Sequence, residues 1–160
     1  MFGIDFLNTG YEALFAGILA TFIAQSIKVI TYLCTHKKIN FKIFTTTGGM
    51  PSSHTAGVIA LSISVGLIDG FDATTFAVAM GLSLIVMQDA SGVRRAAGKT
   101  AATLNRLVDE FVKKNQEIKP YATLKELLGH TPLEVFCGMI LGIIVSLVVH
   151  NFSSIANYFA

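Results

Sequence analysis

Four long apolar stretches dominate the pattern of hydrophobic and polar positions along the chain. Each holds at most one cation, and they cover residues 12–33, 56–68, 73–88 and 133–149. A helix needs about 20 apolar residues to cross the ~30 Å of hydrocarbon in a bilayer. The first stretch is long enough alone, whereas the middle two become long enough only if flanking residues such as 52–55 extend the helix. Pro51 and Pro132 are well placed in first helical turns, where proline is favoured. The pattern predicts about four transmembrane helices.

The segment 91–112 has a different pattern, because charged residues occupy the faces that its apolar residues leave free. The apolar residues recur at helical spacing, at Val93, Ala97, Ala101, Leu104, Val108 and Phe111. This periodicity is typical of an amphipathic helix, which we expect at the cytoplasmic interface of the membrane or folded back on the bundle. Residues 113–123 are polar, include Pro120 and are predicted to form a loop.

Composition favours a membrane protein over a soluble domain. Of the 160 residues, 52% are hydrophobic and 14% are charged, against about 25% charged in an average soluble domain. The mean hydropathy of +0.63 excludes a disordered chain, a nucleic-acid-binding arm and a coiled coil. Cys34 and Cys137 show no metal-ligand or disulfide spacing and are expected to be small apolar residues in or beside helices. The fold prediction is a single all-α domain, 1–160, built as a polytopic membrane helix bundle.

The placement of the cations predicts how the bundle is oriented. All 12 Lys and Arg residues lie in 28–42 or 94–125, whereas the short connection 69–72 has only Asp69 and Asp72 as charged residues. Loops rich in Lys and Arg stay in the cytoplasm. We therefore expect both basic segments in the cytoplasm and both termini outside.

The stretch 47–54, Thr-Gly-Gly-Met-Pro-Ser-Ser-His, has the elements of a phosphate cradle. Glycines such as Gly49 let backbone N–H groups approach an anion, and the start of the following helix carries positive potential. Ser52 and Ser53 add hydroxyl donors, and His54 adds a group that exchanges protons near neutral pH. A glycine turn before a serine-rich helix start, with His54 at the membrane interface, explains the same residues equally well.

A second cluster follows the third apolar stretch, where Asp89 precedes Arg94 and Arg95. Guanidinium groups offer a planar fork of donors that suits phosphate oxygens. Taken alone, this cluster is better explained as a pair of arginines at the membrane border with Asp89 as their partner.

A third cluster leads into the last apolar stretch. His130 and Glu134 are four residues apart, so on a helix the carboxylate would orient the imidazole as a nucleophile or base. The sequence Thr131-x-x-Glu134 is also a capping box. The two roles are compatible, because a carboxylate has two oxygens.

The predicted topology brings these clusters into one layer. Lys28 interrupts an apolar stretch, which indicates either snorkelling to the interface or a functional site, and Gln25 shares its helix face one turn earlier. The charged and titratable candidates all fall at cytoplasmic helix ends, and they are Lys28, His54, Asp89, Arg94, Arg95, His130 and Glu134. Independent structural features are not expected to gather in this way, so the layer favours one site.

These residues resemble those of the type 2 phosphatidic acid phosphatase and vanadium haloperoxidase superfamily, and the chain looks most like its small divergent membrane branch. The superfamily's Pro-Ser-Gly-His motif resembles residues 51–54, which implies an acid/base role for His54. Its terminal motif, His-x-x-x-Asp followed by glycines at four-residue steps, looks like His130, Glu134, Gly138 and Gly142. This likeness implies that His130 is the nucleophile and that Glu134 orients it.

Two motifs depart from the superfamily pattern. An arginine stands six residues before the nucleophilic histidine in the superfamily, and Leu124 occupies that position here. Arg94 or Arg95 would have to replace it from another segment. The Arg-Pro pair that follows the first conserved lysine of the superfamily corresponds here to Thr35 and His36.

The resemblance implies a metal-independent membrane phosphatase, without a cofactor, that hydrolyses a lipid or isoprenoid phosphate monoester through a phosphohistidine. The groups implied to hold the phosphate are Lys28, Gly49, Ser52, Ser53, Arg94 and Arg95, with Asp89 in support. Vanadate or phosphate would inhibit such an enzyme. The expected partners are the bilayer, a lipid phosphate or small phosphate ester and, optionally, further copies of the chain; nucleic acid is not expected.

Two other classes of function are compatible with the same residues. One is an anion-binding or transport-related membrane protein that keeps the cradle without the chemistry. The other is a scaffold whose Gly138-x-x-x-Gly142 face serves helix contact or dimerisation. Superfamily members that act on lipid phosphates commonly face away from the cytoplasm, but the cation bias predicts a cytoplasm-facing site in the cell membrane.

Overall fold

The computed structural model of the protein describes residues 8–37, 48–114, 123–124 and 129–159, and the regular elements in these ranges are all helical. The helices are α1 (Gly10–His36), α2 (Ser53–Asp69), α3 (Thr74–Gln88), α4 (Arg94–Lys114) and α5 (Pro132–Phe159). A π-helical turn, Asp89–Val93, joins α3 to α4. Each predicted apolar stretch forms a helix, so the all-α prediction is confirmed.

Within the described ranges, three helical segments are long and apolar enough to cross a membrane. They are Gly10–His36, Thr74–Lys114 and Pro132–Phe152. α2 is equally apolar but has 17 residues, which at 1.5 Å per residue gives about 25 Å and the lower limit of a span. The molecule is therefore a multi-pass helical membrane protein, in which three of the four predicted spans reach full length.

The start of α2 differs from the prediction. Pro51 does not lie in the first turn, because Ser52 is the N-cap and α2 begins at Ser53. The Ser52 hydroxyl accepts a hydrogen bond from the Thr55 N–H at 3.4 Å, which satisfies one of the free donors of the first turn. The corresponding prediction for Pro132 is confirmed, since α5 begins there.

The predicted amphipathic helix is present as α4, and what the sequence did not predict is its continuity with α3. The backbone continues from α3 through the π-helical turn into α4, giving a helical segment of 41 residues. Lys113 and Lys114, which were predicted in a loop, are the last residues of α4. The rest of that predicted loop, up to residue 122, lies outside the described residues.

Small residues allow α1, α2 and α5 to pack closely. Their shared core consists of Ala16, Ala20, Ala24, Ala56, Ala60, Val145 and Val149. A Cβ at Gly142 would lie 2.6 Å from the Ala56 carbonyl oxygen, and one at Gly138 would lie 2.5 Å from the Ser52 carbonyl oxygen. The glycine face of α5 thus serves helix contact inside one chain. Since α2 occupies it, this face is not available for the dimerisation considered above.

Different polar residues lie at the two ends of the bundle. At one end, the fully buried Glu12 of α1 holds His150 of α5 at 3.0 Å and accepts the Asn8 N–H at 2.7 Å. These polar groups satisfy one another. The other end contains the start of α2, the end of α3 and the start of α5, where the predicted candidates lie. Cys34 and Cys137 are free thiols within α1 and α5, as predicted.

Candidate active site

Two backbone hydrogen bonds assemble the end of the bundle that carries the candidate residues. The Ser52 N–H donates to the Glu134 carbonyl oxygen at 3.0 Å, which ties the start of α2 to the first turn of α5. The His130 N–H donates to the Ala90 carbonyl oxygen at 2.8 Å, which ties the residue before α5 to the π-helical turn. π-helical turns inside α-helices are frequent at functional sites, and this one supplies the acceptor that positions His130.

Gly129 makes the approach of His130 to the π-helical turn possible. Its φ is +86°, and an added Cβ would collide with the backbone of Arg95. Glycine is the residue that adopts this backbone conformation without steric cost. Any side chain at position 129 would push the His130 segment away from the turn.

The His130 imidazole is held in one orientation by Glu134. Its Nδ1 lies 2.9 Å from Glu134 Oε2, and the side chain is 3% exposed. The same Oε2 accepts the Thr131 N–H at 3.1 Å, while Thr131 Oγ1 accepts the Glu134 N–H at 3.3 Å. Both predicted roles of Glu134, capping and orientation, are therefore present, although one oxygen serves both.

The free nitrogen of His130 has the form that a nucleophile needs. A carboxylate can only accept, so Nδ1 carries the proton and Nε2 keeps its lone pair. Nε2 is buried and has no hydrogen-bond partner in the part of the chain that the structure describes. Burial lowers the pKa of His130 below its ordinary value of 6.5, against the opposing effect of the Glu134 hydrogen bond, and the charges of Lys28 and Arg94 lower it further. The imidazole is thus neutral at pH 7.

A cavity of about 730 Å³ opens beside His130 between α1, α2 and α3. Its polar end is formed by Gln25, His54, Asp89, Arg94 and His130. The remainder of its wall is mostly apolar and includes Leu14, Ile18, Phe22, Leu61, Leu82 and Ile85. The arrangement suits an amphipathic ligand with an anionic head and a hydrocarbon body.

Lys28, which the sequence predicts in the same layer, is not part of the wall of this cavity. The residue is 4% exposed, and its Nζ has no partner among the described residues. Its positive charge lowers the pKa of His130. A buried ammonium without a hydrogen-bond partner is costly in an apolar span, and the role of Lys28 as a phosphate ligand stays a prediction. Gly49, with φ of +90°, packs next to the Lys28 side chain, and both residues line a second, smaller cavity.

The structure separates the two arginines that the sequence left equivalent. Arg94 lines the cavity, and its Nε is paired with the Asp89 carboxylate. The Arg95 side chain is not part of that wall, and its backbone packs against Gly129. Arg94 is therefore the better candidate to replace the superfamily arginine, whose position is occupied by Leu124.

Three further predicted phosphate-binding residues do not line the main cavity. Ser52 is fully buried, and its hydroxyl accepts the Thr55 hydroxyl at 3.0 Å in addition to the Thr55 N–H. Ser53 is 1% exposed, and its carbonyl oxygen accepts the Thr21 hydroxyl at 3.4 Å. Gly49 lies at the second cavity. Their roles as phosphate ligands stay predictions.

Sequence reasoning overlooked two residues that shape this site. Gly129 carried a local signal, since it directly precedes the His-Thr-Pro start of α5. In the sequence, Gln25 stands out only as a residue on the same helix face as Lys28. Its side-chain oxygen is buried without a partner among the described residues. Within the same ranges, no three His, Cys, Asp or Glu side chains form a group that could hold a metal ion.

Comparison with known proteins gives a family and one named relative. The chain matches the model of the Divergent PAP2 family over residues 10–145. It is 43% identical over 148 residues to the protein named "Uncharacterized membrane protein YuiD" of Bacillus subtilis (strain 168), and the alignment covers 87% of this chain and 94% of that relative. No solved structure matches the chain. The family match includes every residue that forms the polar end of the cavity.

Proposed function

Because the chain belongs to the Divergent PAP2 family, we propose that it is a membrane phosphatase that hydrolyses a lipid or isoprenoid phosphate monoester through a phosphohistidine at His130. The observation that carries the proposal is the His130 imidazole. Its Nδ1 is bound to a carboxylate, and its Nε2 is unpartnered among the described residues, beside a cavity with one polar end. An oriented, neutral imidazole next to cationic groups is suited to nucleophilic attack on phosphorus.

The proposed first step transfers the phosphoryl group to the enzyme. The Nε2 lone pair attacks phosphorus in line, the P–N bond forms and the ester P–O bond breaks. His54, which faces the same cavity, donates a proton to the leaving alkoxide oxygen. Glu134 stabilises the imidazolium that forms.

The second step releases phosphate. Water, deprotonated by His54, attacks phosphorus, and the P–N bond breaks to restore the Nε2 lone pair. Lys28 and Arg94 offset the charge of the phosphoryl oxygens in both steps. The apolar wall of the cavity would hold the hydrocarbon part of the substrate, which favours a lipid or isoprenoid alcohol as the leaving group.

Phosphate release from a panel of phospholipid and polyprenyl phosphates, measured with purified full-length protein in EDTA, tests the proposal. We expect release by the wild type and a loss of at least about 10³-fold in His130→Ala, as for other nucleophile deletions. His150→Ala is the matched control, because this histidine also has a carboxylate partner but lies at the opposite end of the bundle. Equal rates for the wild type and His130→Ala would overturn the enzyme proposal.

One observation favours a second candidate, a non-catalytic anion-binding or transport-related protein. Leu124 replaces the superfamily arginine, and its backbone is fixed by two 2.9 Å hydrogen bonds to the Asn105 side chain. Without that arginine, the remaining cations of the site could still bind a phosphate but would stabilise the transition state less. Saturable vanadate binding without phosphate release from any member of the panel would support this second candidate.

A further inference from the structure

Gln25 stands at the boundary between the polar and apolar parts of the cavity. It lines the cavity together with Arg94 and His130 on one side and Thr21 and Phe22 on the other. Its Oε1 is buried and has no hydrogen-bond partner among the described residues. A buried carbonyl oxygen without a hydrogen bond destabilises a protein, so the Gln25 Oε1 is a candidate acceptor for a ligand hydroxyl.

The helical rise places Gln25 at a defined depth in the cavity. It precedes Lys28 by three residues in α1, which displaces it by about 4.5 Å along the helix axis away from the cationic end. The next wall residues in that direction, Phe22 and Ile18, are apolar. The Thr21 hydroxyl is already used, since it donates to the Gly17 carbonyl oxygen at 2.9 Å and contacts the Ser53 carbonyl oxygen at 3.4 Å. A phosphate held by Lys28 and Arg94 would therefore bring the first carbons of its alcohol to the Gln25 amide.

We propose that Gln25 is a specificity-determining residue that hydrogen-bonds a hydroxyl group on the alcohol of the substrate, one or two carbons from the ester oxygen. The inference rests on the proposed function. Among lipid phosphates, the Gln25 hydrogen bond favours those with a hydroxylated alcohol, such as a monoacylated glycerol phosphate. A plain alkyl or isoprenoid phosphate presents only hydrocarbon at this depth and leaves the amide unpaired.

The energetic consequence is a difference between two substrates and not a general loss of rate. A site that hydrogen-bonds a substrate hydroxyl discriminates strongly against the analogue without it, because the buried polar group of the protein is then left without a partner. An apolar pocket discriminates much less against a substrate that carries an added group. We expect the wild type to favour the hydroxylated lipid at least about tenfold in kcat/KM.

Two lipids with the same hydrocarbon chain test this inference, oleoyl lysophosphatidate, which has the hydroxyl, and oleyl phosphate, which lacks it. In Gln25→Leu we expect the ratio of their kcat/KM values to fall to about one. Thr21→Val removes a hydroxyl from the same wall of the cavity. It is expected to keep the wild-type ratio, because that hydroxyl already donates to the Gly17 carbonyl oxygen. Because the buried Oε1 has no partner among the described residues, Gln25→Leu should also keep the thermal unfolding midpoint of the wild type.

The outcomes separate this inference from the proposed function. No phosphate release by the wild type from these two lipids or from any member of the panel overturns the proposed function and the inference with it. Release from other members of the panel but from neither of these lipids overturns the inference alone. Turnover with an unchanged ratio in Gln25→Leu overturns the inference alone. So does an equal fall for both lipids, which would indicate that Gln25 orients water, or a lower unfolding midpoint, which would make it a structural residue.

Discussion

At the residue scale, one carboxylate oxygen of Glu134 both caps a helix and orients the His130 imidazole. Glu134 Oε2 accepts both the Thr131 N–H, which caps α5, and the His130 Nδ1–H, which orients the proposed nucleophile. Both contacts lie within four residues in sequence, so the spacing of Thr131, His130 and Glu134 was enough to predict them. Gln25 carried no comparable signal, because its significance depends on residues from α2, α3 and the start of α5 that enclose it.

Glu134→Gln separates the two roles of this carboxylate. Glutamine can complete a capping box, so we expect the free energy of unfolding to change by no more than about 0.5 kcal/mol. It cannot stabilise the imidazolium by charge, so kcat should fall by about 10²–10⁴. Glu134→Ala should show the same loss of kcat together with a destabilisation of about 1 kcal/mol from the lost cap. Denaturant titrations and phosphate release measure the two effects, and wild-type kcat in Glu134→Gln would contradict the role assigned here.

The lowered pKa of His130 predicts the acid side of the pH profile. An imidazole with a lowered pKa stays neutral as the pH falls through its ordinary value of 6.5 and becomes protonated only below it. The acid limb of kcat/KM, which reports the free enzyme, should therefore lie below pH 6.5. Arg94→Gln removes one of the charges that lower this pKa and should move the limb upward. A limb at or above 6.5 that does not move in Arg94→Gln would show that His130 is not the titrating nucleophile.

Helix positions were predictable at the element scale because apolar periodicity is a local property. The apolar stretch 73–88 and α3, Thr74–Gln88, agree to within one residue. The continuity of α3 and α4 was not predictable, because Ser91 and Gly92 resemble a break in the sequence. The π-helical turn there pairs with the distant His130 backbone through Ala90, which is a tertiary contact.

A pair of glycine substitutions tests whether the docking of His130 on this turn matters. Gly129→Ala forces a side chain into a positive-φ conformation and against the Arg95 backbone, so we expect a destabilisation of about 1–3 kcal/mol and at least a tenfold loss of phosphate release. Gly92→Ala is the matched control, since an added Cβ there meets nothing within 4 Å. It should leave stability unchanged or raise it by up to about 1 kcal/mol. Comparable losses in both variants would contradict the docking role of Gly129.

The whole molecule divides its polar groups between two ends of one bundle. Glu12 and His150 pair with each other at one end, although 138 residues separate them. At the other end, buried polar atoms of Gln25, Lys28 and His130 have no partner among the described residues. Sequence reasoning could predict a polar layer from helix-end positions, but which polar groups satisfy one another depends on how α1, α2 and α5 pack. Ser64 Oγ in α2 is also buried without a partner in the described ranges, so the ligand site is proposed at the end where three such atoms gather.

The side of the membrane on which this site lies is a prediction from the sequence positions of the cations, all of which lie in 28–42 or 94–125. We propose a cytoplasm-facing site with both termini outside. Single cysteines at Lys38 and Asp72, in a background without Cys34 and Cys137, report the orientation. An impermeant thiol reagent on intact cells should label position 72 and spare position 38. The reverse labelling would place the site on the outer face.

Trapping of the covalent intermediate tests the central claim most directly. Oleoyl lysophosphatidate with a radiolabelled phosphate is mixed with the full-length protein in detergent and quenched in alkali, in which phosphohistidine survives. The wild type and His150→Ala should retain label on the protein, because both keep the His130 imidazole and its carboxylate partner Glu134. His130→Ala should retain none. Label on His130→Ala, or turnover by the wild type without any trapped label, would contradict a phosphohistidine at this position.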